Sequence, residues 1–168
     1  DRSRALFLFG LFTSFMWFMP LLGGWLADKW LGPRLAVLLG CIGLAVGNFL
    51  LAASSFSAKG GRPEAAMGLF LIGILTMIAG AGMFKSNASA LLGQLFGPND
   101  PRREVGFILF YMGINIGALF APFGAGTAGE RIGWGWGFLL AGFGMLIGFL
   151  VFAFQARRAF PVAIAKPE

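Results

Sequence analysis

Residues Ala65–Leu95 read AAMGLFLIGILTMIAGAGMFKSNASALLGQL and hold a single charged side chain, Lys85. A helix rises about 1.5 Å per residue, so ~20 apolar residues cross the ~30 Å hydrocarbon core of a bilayer. This run exceeds that length, which predicts a membrane helix that is tilted or extends into solution. Lys85 lies ten residues before Leu95, about 15 Å from that end and roughly half-way into the core. An ammonium group at that depth is expensive on an isolated helix, so the sequence predicts that it faces a cavity or a partner. Snorkelling from a shifted helix end is the other reading, but apolar residues continue to Phe96.

Four more apolar runs flank this one: Ala5–Ala27, Leu35–Phe56, Val105–Ala128 and Trp136–Phe154. The expected fold is therefore an all-α membrane protein of five transmembrane helices, at about 5–27, 35–56, 65–95, 105–128 and 136–154. Polar breaks separate them. The sharpest is Gly97–Glu104, with Pro98, Asn99, Asp100 and Pro101 together, a strong helix-breaking cluster. Glu130 and Arg131 read as a solvated pair in the last break.

Hydrophobic residues make up 58% of the chain and charged residues 12%, about half the charged share of a soluble domain. The net charge of +6 does not point to nucleic acid, because the basic residues sit between apolar runs, as at membrane flanks. The lipid bilayer is the expected partner. With five crossings, Lys29, Arg34, Arg102, Arg103, Arg157, Arg158 and Lys166 share one side. Arg2, Arg4, Lys59, Arg62 and Arg131 share the other. The excess of basic residues predicts that the first group is cytoplasmic, in a multi-pass plasma (inner) membrane protein. Trp25, Trp30, Trp134 and Trp136 fall near span ends, as an aromatic belt does. The chain has no His and one Cys, Cys41. A disulfide framework, a zinc site and a Ser-His-Asp triad are all excluded within it. No metal or cofactor is expected. Four polar residues lead straight into an apolar run with no signal-peptide pattern, so the chain reads as a piece of a longer protein.

Three segments carry candidate function. Gly23-Gly24-Trp25-Leu26-Ala27-Asp28-Lys29-Trp30-Leu31-Gly32-Pro33-Arg34 joins the first two spans. Its paired glycines allow close helix approach, and Gly32 permits a tight reversal. An ordinary charged loop is the plainer reading. Gly80-Ala81-Gly82-Met83-Phe84-Lys85-Ser86-Asn87 contains the buried-depth lysine. In Phe110-Tyr111-Met112-Gly113-Ile114-Asn115-Ile116-Gly117-Ala118, Tyr111 and Asn115 are four apart and share a helix face. Taken alone, Asn115 is as well explained by helix–helix packing.

In this order and spacing the three segments resemble the proton-dependent oligopeptide transporters of the major facilitator superfamily. The resemblance covers nearly the whole chain as helices two to six of a twelve-helix fold. It therefore implies a partial major facilitator fold, five of the six helices of the N-terminal bundle. It implies proton-coupled symport of di- and tripeptides by alternating access, with protons as the coupling ion and no covalent chemistry. The missing remainder of the transporter is then a partner. By resemblance, Lys85 serves the peptide carboxylate and proton coupling, and Tyr111 and Asn115 line the peptide site. Gly23, Gly24, Asp28, Lys29, Gly32 and Arg34 form the structural and gating loop.

The chain departs from the family pattern at two positions. Ser86 stands where the family has Pro after the lysine. Trp17 stands where its second helix has a site tyrosine, which keeps a stacking ring and loses the hydroxyl. The family's Glu-x-x-Glu-Arg motif of the first helix and its C-terminal half are absent from the chain. Two other readings stay open: a major facilitator carrying another substrate, such as nitrate or a drug-like anion, and a short membrane scaffold subunit that does not transport.

Overall fold

The computed structural model describes residues 2–97 and 99–159. Among them there is helix and turn but no strand. The helices are α1 (Arg2–Leu26), α2 (Gly32–Lys59), α3 (Pro63–Gly93), α4 (Arg102–Ala121), α5 (Thr127–Arg131) and α6 (Trp134–Ala159). Wide π-type turns, Ala27–Leu31 and Pro122–Gly126, join α1 to α2 and α4 to α5. Lys166 and Pro98 lie outside the described residues, as do the side chains of Arg2, Arg4, Arg157 and Arg158.

Four continuous apolar helical runs are long enough to cross a membrane, and the first is Leu6–Lys59, 54 residues. At 1.5 Å per residue that run would measure about 80 Å, far beyond one crossing. It is two crossings, reversed at Gly32, whose φ of 73° and ψ of 152° suit a residue without Cβ. The contacts along α3 confirm the reversal. Met19 meets Gly82, and Gly23 meets Gly82 and Asn87, so α1 runs parallel to α3. Gly40 meets Phe84 while Gly47 meets Gly73, so α2 runs antiparallel to it. With α3, the Arg102–Arg131 run and α6, the crossings number five.

Small residues fill the interior, and large ones face out. The buried positions include Ala36, Gly40, Ala45, Gly47 and Ala52 on α2, and Ala66, Gly73, Gly80 and Ala81 on α3. Phe7, Trp17, Leu75 and Phe154 are each 65% exposed or more. Water would drive the reverse arrangement. In lipid the large apolar side chains gain nothing by leaving the surface, and helices associate where small residues let backbones approach. A Cβ on Gly80 would sit 2.7 Å from the Leu44 nitrogen and 2.9 Å from the Gly40 oxygen. No side chain fits there.

α2 lies at the centre, between α3 and α6. Against α6 it uses ring contacts: Phe49 with Phe143 at 5.3 Å and Phe56 with Trp136 at 5.7 Å, both edge to face. Buried Ser54 donates to the Ala66 carbonyl at 2.7 Å and ties α2 to α3. α4 differs from all of these. None of its residues is buried, and it touches α3 mainly near the connecting turn, with Phe107 beside Gly93 and Gly106 beside Phe96. Pro122 has no N–H for the helix ladder, and the chain widens into the π turn at that point. The Thr127 hydroxyl donates to the Pro122 carbonyl at 3.2 Å.

Candidate functional site

α3 ends at Gly93, and Gln94 and Leu95 close it with tighter bonds to the Leu91 and Leu92 carbonyls. Lys85 is therefore eight residues from the helix end, about 12 Å into the span. It remains well inside the membrane, 3 Å shallower than a helix running to Leu95 would place it. Its side chain is exposed within this chain. Its Nζ lies 5.2 Å from the ring centroid of Trp17 on α1, within the range of a cation–π attraction. Among the described residues no carboxylate pairs with it.

The backbone beneath Lys85 is held tightly. Asn87 is 2% exposed. Its amide nitrogen donates to the Met83 carbonyl at 2.8 Å and, across the helix boundary, to the Gly23 carbonyl at 3.2 Å. Gly23 packs directly on the Gly82 backbone, so close that a Cβ would collide with the Gly82 carbonyl. Ser86, standing where the family has Pro, keeps its backbone N–H, and its hydroxyl donates to the Gly82 carbonyl at 3.1 Å. The helix continues through this position to Gly93. No role for Asn87 was legible in the sequence. The available signal was a second polar side chain in an apolar run, two positions after the lysine.

Tyr111 and Asn115 lie on α4, and both are exposed. Asn115 donates to the Tyr111 carbonyl at 2.8 Å, a bond within its own helix. No hydrogen bond joins either residue to Lys85 among the described residues. The positions are related nonetheless. Phe84 and Phe110, each one residue earlier, line the same groove between α2, α3, α4 and α6. One residue onward is a 100° turn of a helix. Neither Lys85 nor Tyr111 lines that groove.

The groove measures about 580 Å³, and its walls include Val37, Cys41, Leu91, Phe110, Met145 and Phe152, with Gln155 its one polar side chain. A zwitterionic ligand there would lose its hydration without gaining partners. The candidate site is therefore the Lys85 face rather than this apolar groove.

The loop residues divide into three groups. Gly23 and Gly24 belong to the α1–α3 seam, Gly24 lying 3.6 Å from Ser86 by the same Cβ measure. Asp28 and Lys29 are exposed on the π turn, with Lys29 Nζ 5.1 Å and 5.3 Å from the Trp25 and Trp30 rings. Gly32 makes the reversal, and half-buried Arg34 opens α2.

The described helices form a polytopic, membrane-type bundle with a small-residue interior and a lysine within one span. A sequence profile of the POT family matches residues 34–161, and the chain belongs to that family, with a partial major facilitator fold. It is 41% identical over 90% of its length to the peptide transporter YePEPT of Yersinia enterocolitica subsp. palearctica serotype O:3 (strain YE-P4), covering 28% of that protein. It is 36% identical over 92% of its length to dipeptide and tripeptide permease A of Klebsiella pneumoniae (strain 342), covering 29%. A crystal structure of a peptide transporter POT in complex with sulfate superposes with a TM-score of 0.88 at 31% identity, over all of this chain and 32% of that one. The chain thus spans less than a third of the length of these relatives.

Proposed function

We propose that this chain works within a proton-coupled symporter of di- and tripeptides in the plasma (inner) membrane. Membership of the POT family and relatives named as peptide transporters support the substrate class. The observation that carries the reading is the exposed Lys85 ammonium inside a membrane span, without a carboxylate partner among the described residues. A lysine so placed is a cationic anchor awaiting an anionic group, and its attraction is strong where water is scarce. A peptide carboxylate supplies that group. Tyr111 and Asn115, both exposed on α4, offer a phenol and an amide to the peptide backbone. Two helix bundles rocking about such a midplane site expose it to one side of the membrane at a time. The inward proton gradient drives uptake, and no bond of the substrate is made or broken.

The full-length protein reconstituted in liposomes tests this. Imposing an inward proton gradient should accelerate dialanine uptake, and a protonophore should return it to the passive rate. Uptake indifferent to the gradient contradicts proton coupling. No uptake of any di- or tripeptide contradicts the substrate class.

A further inference from the structure

Trp17 is 74% exposed on α1 and has no hydroxyl to offer a ligand, yet the Lys85 ammonium rests over its ring at 5.2 Å. The register that brings them together is fixed by the seam. Gly23 is packed on Gly82, and Asn87 is hydrogen-bonded to the Gly23 carbonyl. Side chains of a helix lean toward its N-terminus. On parallel helices Lys85 therefore reaches back along α3 to the level of Trp17, which lies six residues before Gly23.

We propose that Trp17 is a positioning residue for Lys85, holding its ammonium by the indole face so that the cation stays in place and unneutralised for an incoming carboxylate. This rests on the reading of Lys85 as carboxylate anchor. The indole suits the task for three reasons. Its face attracts a cation more strongly than the ring of Phe or Tyr. Its one polar group, Nε1–H, is a donor, so it takes no proton and no hydrogen bond from lysine. It carries no charge, so all three ammonium N–H groups stay available to a carboxylate. An acidic residue at position 17 would fix Lys85 equally well but would compete with the substrate.

The test is a double-mutant cycle on the full-length transporter. Dialanine affinity and maximal uptake rate are measured for wild type, Trp17→Ala, Trp17→Phe, Lys85→Ala and the Trp17→Ala/Lys85→Ala pair, with thermal unfolding in detergent as the control for folding. Trp17→Ala should weaken apparent affinity by about 3- to 30-fold, chiefly in KM. Trp17→Phe should recover part of the loss, and the Trp17 effect should vanish once Lys85 is Ala. An equal loss in both Lys85 backgrounds, or no loss, overturns the proposal. Should Trp17→Ala fail to fold, wild-type affinity in Trp17→Phe with the same KM for a ring-free Trp17→Leu overturns it as well. If Lys85→Ala itself leaves affinity unchanged, the anchor reading falls first and the role of Trp17 with it. That pattern is distinct from the others.

Discussion

Along the seam of α3 with α1 and α2, glycine and alanine are buried and backbone touches backbone, whereas α4 has no buried residue along its 20 positions. Both regions are apolar enough in sequence to cross a membrane. They differ in where small residues fall against a neighbour. Gly23, Gly40, Gly47, Gly73, Gly80 and Gly82 all meet another helix, while Gly113 and Gly117 on α4 have open space around them. The seam is a finished scaffold that fixes the lysine. Within this chain α4 presents its side chains outward, open to a ligand or to the rest of a longer protein.

The sharpest way to break this contrast is to add a side chain to each region. Gly80→Leu forces apart α2 and α3, and overpacking of this kind destabilises by about 1–3 kcal/mol or more. Folded yield and detergent melting temperature should fall steeply. Gly117→Ala should leave both unchanged or slightly raised, because Ala favours helix by roughly 0.5–1 kcal/mol over Gly. Equal responses would erase the distinction between the regions.

Asn87→Leu is the next in size. It removes the bond from Asn87 to the Gly23 carbonyl, a loss of about 0.5–1.5 kcal/mol for one net hydrogen bond. It should lower the melting temperature, and peptide affinity should weaken along with it as Lys85 loses its fixed register. On α4 the order reverses. Tyr111→Phe and Asn115→Ala should leave the melting temperature alone and weaken dialanine binding by roughly 2- to 10-fold each, the worth of one net hydrogen bond. A large stability loss from either would mean that α4 is a packing element.

The smallest effect belongs to the turn between the two regions. Asp100 accepts from the Arg102 backbone at 2.9 Å and from its guanidinium at 2.9 and 3.1 Å. These bonds hold its carboxyl below the usual value. A carboxyl lowered on folding stabilises the fold above its unfolded pKa, about 3.9. That stabilisation is lost as pH falls through the lowered value. Asp100→Asn should therefore change little in a surface pair, and the difference from wild type should begin to shrink below about pH 4 and vanish once the pH is below the lowered value. A difference that persists there would mean that Asp100 acts otherwise than through its charge.

Much of the scaffold was legible in the sequence, because membrane spans need only length and apolarity, and Gly32 announces the reversal. The family was legible in the order of three short segments. Contacts between helices were less so. The Gly23–Asn87 bond joins residues 64 apart, and nothing local predicts which polar side chain of 85–89 turns inward. The Trp17–Lys85 pair was hidden for the same reason: losing a hydroxyl looked like losing a role, and only the α1–α3 register shows the ring under the ammonium. The apolar groove was also unpredicted, since its walls come from four helices.

The central claim is that Lys85 anchors a carboxylate, and calorimetric binding of dialanine and dialanine amide to the full-length protein tests it most directly. The account predicts that wild type binds dialanine at least tenfold more tightly than the amide, roughly the worth of one charge-assisted contact, and that Lys85→Ala abolishes this preference while retaining its melting temperature. A preference for the free carboxylate that survives Lys85→Ala would contradict it.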